Sequence, residues 1–294
     1  MDRPPRVVAE IGCNHTGSLD IAKEMIHVAA IFCKVDYVKF QKRNVRELLT
    51  EQEYAAAHPS PQHSYGSTYG EHREALEFDA EQHRQLKAEC EAFGVAYASS
   101  VWDCTSAKEI SELSPEFIKV PSATNQDFRV LEWLCDNFAG QIHVSLGMTT
   151  QAEEERLVGF LSSKNRLKDT VLYACTSGYP VSFDDLALLE IERLGSAYRE
   201  SVAGIGFSGH HLGIAADVAA QTLGAEWIER HFTLDRTWRG TDHAASLEPD
   251  GMRRLVRDTR AVARALKPRP AELLAVEEPQ RAKLKRNREP TSPK

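Results

Sequence analysis

No stretch of this chain approaches the ~18 consecutive apolar residues of a membrane span, and no CxxC pair occurs among its six cysteines. The N-terminus, MDRPPRVVAEIG, enters a strand-like run with no apolar signal-peptide core. Scattered cysteines in a long chain without such a signal read as reduced thiols, so the expected compartment is the cytoplasm. A basic surface is also lacking. The formal net charge of −7 gives a general nucleic-acid-binding role no electrostatic support. A GxGxxG turn after the first strand, which would mark a dinucleotide-binding sheet, is missing as well. What remains is a soluble-type composition, 42% hydrophobic and 27% charged over 294 residues, enough for one large domain and a short appendix.

Short β-branched runs alternate with longer amphipathic segments. The runs are Arg6–Gly12, Asp36–Phe40, Val95–Ser99, Phe117–Val120, Ile142–Ser145, Thr170–Ala174, Val202–Phe207 and Trp227–His231. Leu19, Ala22, Met25, Ile26, Ala29 and Cys33 follow at helical spacing behind an N-cap at Ser18. Further helical patterns span roughly 79–93, 104–113, 127–138, 150–164, 183–195, 213–223 and 249–266. Eight strand–helix units predict an α/β fold, a (β/α)8 TIM barrel over residues 1–267. Residues 268–294 read as a proline-containing basic tail with Arg281, Lys283, Lys285, Arg286 and Arg288. The stretch ~44–78 is long for a βα loop and carries His58, His63, Tyr65, Tyr69 and His72. It is either a lid over a site or a surface excursion.

Barrel enzymes place their chemistry at the C-terminal strand ends. Polar residues fall there on every strand: Glu10, Asn14 and His15; Lys39 and Gln41; Ser99 and Ser100; Lys119 and Ser122; Ser145; Thr176 and Ser177; Ser208 and His210; Glu229 and His231. Glu229 and His231 are two apart, so they share a face, with Ile228 and Phe232 on the other. Ser208 and His210 repeat the spacing one strand earlier. Two imidazoles from adjacent strand ends suit one divalent cation such as Mn, Fe, Co or Zn, and Asp242 could add an oxygen. A lone histidine is more often structural; two that face one way beside carboxylates reverse that expectation. His211 and His243 stay ambiguous, and His27, His83 and His143 read as structural or surface. Lys39 and Lys119, with hydroxyls at Ser100, Ser122, Ser145 and Ser208, suggest a pocket for phosphate or carboxylate, because a buried lysine is costly unless an anion pairs with it. Salt-bridged lysines or a Schiff-base lysine fit the same residues.

Several of these segments carry a likeness. VVAEIGCNHTGSLDIAKEMI, VKFQK, IKVPSATN, SLGM, CTSGYP, FSGHHLG, IERHFTLDR and GTDHAASLEPD occur in the order seen in sialic acid synthases, and the chain resembles that family over roughly residues 6–260. The resemblance implies condensation of phosphoenolpyruvate with a sugar aldehyde, N-acetylmannosamine or a related aldose, to a 2-keto-3-deoxy sugar acid with release of phosphate. It implies a divalent metal, Mn or Mg, on His210 and His231. It places Lys39, Ser100, Lys119, Ser122, Ser145, Ser177 and Ser208 around phosphoenolpyruvate, and Glu10, Glu229 and Asp242 around the sugar and the attacking water. A homodimer is the implied assembly, with no nucleic acid and no membrane. Two features depart from the pattern. Thr124 stands where the family commonly has an acidic residue, and the sequence ends without the family's C-terminal antifreeze-like domain, so the expected acceptor either lacks an N-acetyl group or meets the basic tail instead. The rival readings are a metal-dependent sugar-phosphate aldolase or isomerase and a catalytically silent sugar-acid-binding barrel.

Overall fold

A computed structural model of the chain describes residues 4–286. Eight parallel strands pair in sequence order and the last closes on the first: β1 (Arg6–Gly12), β2 (Tyr37–Lys42), β3 (Ala96–Val101), β4 (Phe117–Val120), β5 (Gln141–Ser145), β6 (Thr170–Cys175), β7 (Gly204–Gly209) and β8 (Trp227–His231). The expected (β/α)8 barrel is therefore the observed one, and strand ends move by two residues at most. α1 (Leu19–His27) starts at Ser18, whose hydroxyl accepts from the Ile21 amide, and runs on as a π-helical turn over Val28–Cys33. The segment after β2 folds into three short helices, α2 (Val45–Leu48), α3 (Glu51–Ala55) and α4 (Tyr69–Ala75). Thr50 and Thr68 start the latter two with capping boxes that satisfy the first free amides.

The outer ring continues with α5 (Ala80–Ala92), α6 (Cys104–Glu112), α7 (Phe128–Asn137), α8 (Gln151–Ser163), α9 (Glu190–Tyr198), α10 (Ala215–Thr222) and α11 (Pro249–Ala265). One expected helix is corrected. The spacing predicts one helix over 183–195, but Phe183–Asp185 form a single 3-10 turn and α9 begins at Glu190, because Ala187 adopts φ +48° and breaks the helical path. Beyond the barrel, the tail forms a short helix α12 (Glu278–Leu284); Arg288 of the basic cluster lies outside the described residues. Among the described residues no helix is long and apolar enough to cross a membrane, and all six cysteines are free thiols.

Side chains divide into two cores. The larger lies between strands and helices and includes Val7, Ile11, Phe40, Val120, Leu131, Leu172 and Ile228. The smaller fills the N-terminal half of the barrel bore with Val8, Tyr37, Ala98, Phe117, Val171, Tyr173 and Trp227. His143 belongs to this plug, stacked 3.8 Å from Phe117, and is structural as expected. Because inward positions alternate, two residues further along the same strands the bore turns polar: Glu10, Lys39, Ser100, Lys119, Ser145 and Glu229. An apolar floor beneath a charged upper layer is what positions the site.

Candidate active site

Strand register sets which charges meet. Glu10 pairs level with Lys39 on one side and with His231 on the other, Ser100 with Lys119, and Ser208 with Glu229. The result is a continuous chain of charge across the bore. Lys39 Nζ lies 2.6 Å from Glu10 Oε2 and 3.7 Å from Glu229 Oε1, and Lys119 Nζ lies 2.6 Å from the same Glu229 oxygen. Lys39 also donates to Ser100 Oγ at 2.6 Å, and Ser208 Oγ donates to Glu229 Oε1 at 3.3 Å. Lys119 rests over the Tyr173 ring at 4.2 Å. All four charged groups are buried.

That arrangement drives the two carboxyls apart. Burial raises Glu10, and the neighbouring Glu229 raises it further against the pull of Lys39. Burial would also raise Glu229, but Lys119 and Lys39 together outweigh it and hold that carboxyl down at about 2. Burial lowers the Lys119 amine, opposed by Glu229. The lysines are thus present where an anion pocket was expected, already balanced by internal carboxylates that an incoming anion would compete with. Gln41 Nε2 donates to Glu10 Oε1 at 3.0 Å. Gly12, at φ +56°, passes so close that a Cβ there would stand 3.2 Å from Glu10 Oε1 and 3.0 Å from Gln41 Nε2.

The imidazole pair forms the next layer. His210 and His231 have ring centroids 5.4 Å apart, and Tyr179 packs against both. His210 Nδ1 bonds the Thr176 carbonyl at 3.1 Å. A carbonyl can only accept, so Nδ1 carries the proton and Nε2 keeps its lone pair for a ligand. Burial, then His231, holds His210 down at about 3, so its ring is neutral. His231 Nδ1 is buried with no hydrogen-bond partner, 3.9 Å from Asp242 Oδ2. An orphaned ring nitrogen beside a second imidazole fits a divalent cation. Among the described residues no three His, Cys, Asp or Glu groups converge on one point, so the remaining ligands would be water or substrate oxygens, as in open catalytic sites.

A third element comes from the turn after β5. Ser122 Oγ accepts from the Gly147 amide at 3.1 Å. A Cβ on Gly147 would collide with Ser177 Oγ and sit 2.7 Å from Ser122 Oγ, so only glycine leaves these hydroxyls and that amide facing one small volume. Ser145 lines the same cavity, and its carbonyl is tied to Asn125 Nδ2 at 2.8 Å.

All twelve residues expected at the site line one cavity of about 490 Å³: Glu10, Lys39, Ser100, Lys119, Ser122, Ser145, Ser177, Ser208, His210, Glu229, His231 and Asp242. The segment 44–78 closes one side of it through His58, Tyr69, His72 and Arg73, in keeping with the lid reading. Residues that sequence reasoning did not assign also line it, notably Arg43, Trp102, Cys175 and Tyr179. The period of two from Lys39 through Gln41 would have found Arg43; nothing local marks Trp102. Thr124 is not among the lining residues, and its Oγ1 is buried without a partner in the turn after β4. His211 resolves as structural: its ring and carbonyl bind Arg230, which pairs with Asp217 behind the barrel wall. Asn14, His15 and His243 are structural too, bonded to Phe232 and Ser246, the Gly17 amide, and Thr233.

Comparison with known proteins places this geometry. A family model described as the NeuB family matches residues 25–269. Over 263 residues the chain is 38% identical to the N-acetylneuraminate-9-phosphate synthase of Homo sapiens, covering 90% of this chain and 71% of that protein. It is 30% identical over 261 residues to the N,N'-diacetyllegionaminic acid synthase of Campylobacter jejuni, covering 88% and 77%. The crystal structure of the N-acetylneuraminic acid (sialic acid) synthetase of Leptospira borgpetersenii superposes with a TM-score of 0.80 at 28% identity, covering 97% of this chain and 94% of that one.

Proposed function

The chain belongs to the NeuB family, and from that premise we propose that it condenses phosphoenolpyruvate with a sugar aldehyde, N-acetylmannosamine or a related aldose, to a 2-keto-3-deoxy sugar acid and phosphate. The observation that carries this reading is the convergence of two lysines, two glutamates and two imidazoles on one cavity above an apolar floor. Lys39 and Lys119, with Ser100, Ser122, Ser177, Ser208 and the Gly147 amide, bind the two anionic groups of phosphoenolpyruvate. Ser145 lines the same region. His210 and His231 would hold a divalent cation, Mn or Mg. When bound, that cation supplies Lewis-acid polarisation of the aldehyde carbonyl.

C3 of phosphoenolpyruvate forms a bond to the aldehyde carbon, leaving positive charge at C2 and an alkoxide on the former aldehyde oxygen. Glu229, held ionised between the lysines, faces this cationic centre with fixed negative charge, and Glu10 lies beside it across Lys39. Water adds at C2, and one of its protons passes by way of the Glu10 carboxyl, whose hold on a proton burial strengthens, to the alkoxide, which becomes the new hydroxyl. The tetrahedral centre then breaks the C2–O bond to the phosphate, its hydroxyl becomes the keto group, and the hydroxyl proton leaves with the phosphate. Asp242 flanks the sugar end beside His231. Residues 1–267 form the catalytic unit and 268–294 the appendage in this reading, the protein is cytoplasmic, and it assembles as a homodimer, which light scattering measures.

The test is a screen of aldoses with phosphoenolpyruvate carrying a labelled bridging oxygen, in the presence of Mn. Sugar-dependent release of phosphate bearing the label supports C–O cleavage. Label retained in the organic product, or no sugar-dependent phosphate with any acceptor, sinks the reading.

A further inference from the structure

We propose that Tyr173 is a positioning residue for the condensation: its ring, fixed by His143 and by the missing side chain at Gly206, holds Lys119 as an ammonium with an N–H free for phosphoenolpyruvate. This rests on the condensation reading and deepens it at the phosphoenolpyruvate end of the site.

The need arises from the charge on Lys119. Its ammonium has three N–H groups, and among the described residues the one oxygen that accepts from them is Glu229 Oε1 at 2.6 Å. That oxygen also accepts from Ser208 and lies 3.7 Å from Lys39 Nζ. Lys39, by contrast, has Glu10 Oε2 and Ser100 Oγ at 2.6 Å each. Burial pushes Lys119 toward the neutral amine, Glu229 opposes this, and Lys39 adds to it. The other titratable groups facing Lys119 are His143, His210 and Cys175. Burial keeps both imidazoles neutral and the thiol protonated. Glu229 is then the one anion that Lys119 meets among these groups.

Tyr173 supplies what a single shared carboxylate does not. Lys119 Nζ stands 4.2 Å over the centre of its ring, a cation–π contact, which gains strength where water is excluded. The ring is fully buried and tied at its far end. Gln141 Oε1, an acceptor, faces His143 Nε2 at 3.3 Å, which leaves Nδ1 to accept from Tyr173 Oη at 3.0 Å. His143 is held in turn by Trp227, edge to face at 4.6 Å. On the neighbouring strand Gly206 is level with Tyr173, and a Cβ there would stand 2.5 Å from two ring carbons. Glycine at 206 is what lets the ring lie in this place. A carboxylate in its stead would cancel the charge that attracts phosphoenolpyruvate. A π face favours the cation without neutralising it. With one N–H on Glu229 and one toward the ring, the third remains for the ligand.

The test varies the electronics of the ring at constant shape. Tyr173→Phe is compared with chains carrying mono-, di- and trifluorinated phenylalanine at the same position, since fluorine withdraws negative charge from the ring face and barely alters its size. Binding of phosphoenolpyruvate by calorimetry, and KM and kcat with an aldose and Mn, are followed against pH. A ring that attracts the cation less lets Lys119 lose its proton at lower pH. The basic limb of phosphoenolpyruvate binding should therefore move down with each fluorine, by about one pH unit over the series, the worth of a desolvated cation–π contact. Above that limb KM for phosphoenolpyruvate should rise about 10-fold across the series, with KM for the aldose unchanged. A limb that stays at one pH throughout overturns the role of Tyr173, since packing alone would not follow fluorine content. Should the trifluorinated chain fail to fold, the monofluorinated and difluorinated ones decide. Condensation with an unmoved limb overturns this inference alone. A limb that moves in the binding data with no condensation of any aldose overturns the reaction and leaves the Tyr173 contact standing.

Discussion

Replacing Glu229 by Gln removes the anion that balances two ammonium groups inside the barrel. Glu229 Oε1 lies 2.6 Å from Lys119 Nζ and 3.7 Å from Lys39 Nζ. At an effective dielectric of about 20 these separations correspond to gross attractions of about 6 and about 4 kcal/mol. Burial takes back much of that. The balance shows in the carboxyl itself, held at about 2 against an ordinary 4.5, a net preference for the anion of about 3 kcal/mol. Glutamine keeps the shape but leaves Lys119 with no carboxylate in ion-pair reach among the described residues, while Lys39 retains Glu10. The expected loss is about 3–5 kcal/mol, the range for an uncompensated buried charge, and a fall in melting temperature on the order of 10 °C. Thermal unfolding followed by circular dichroism, with and without inorganic phosphate, reads both halves of the argument. Phosphate should raise the variant's melting temperature more than the wild type's, because the variant carries an extra positive charge where the anion docks. A loss under about 1 kcal/mol, or equal phosphate shifts in the two proteins, would refute the claim that Glu229 balances the lysines.

Exhaustive chelation should abolish condensation and added Mn restore it; His210→Ala should also lose Mn binding measured by titration calorimetry, and full activity after chelation would exclude the metal role. Gly147→Ala places a methyl among Ser122, Ser177 and Cys175, and should lower kcat/KM for phosphoenolpyruvate by about 100-fold, as misplacement near 1 Å does, while circular dichroism stays native. Arg230→Met breaks a fully buried pair with Asp217 and frees the His211 carbonyl next to His210. It should cost about 3–5 kcal/mol and weaken Mn binding; a stable variant with unaltered Mn affinity would show that Arg230 does not position the imidazoles.

Local pattern was sufficient for the barrel. Alternation along each strand depends only on backbone pleat, so the inward positions of Glu10, Lys39, Lys119, Glu229 and His231 were legible from spacing, as were eight strands within two residues of their ends. Helix starts were legible where a cap such as Ser18 marks them, and 183–195 misled because a positive φ at Ala187 leaves no trace in hydrophobic period. What the linear order could not determine is which charges touch. Whether Lys39 and Lys119 face an empty pocket or paired carboxylates depends on the stagger between strands, which sets Glu10 level with Lys39 and Ser208 level with Glu229. Electrostatic energy falls with distance in space, not along the chain. Only closure of the barrel brings Glu229 within 2.6 Å of Lys119, and only folding of the 44–78 segment brings Arg73 to the ring of Trp102 beside Arg43.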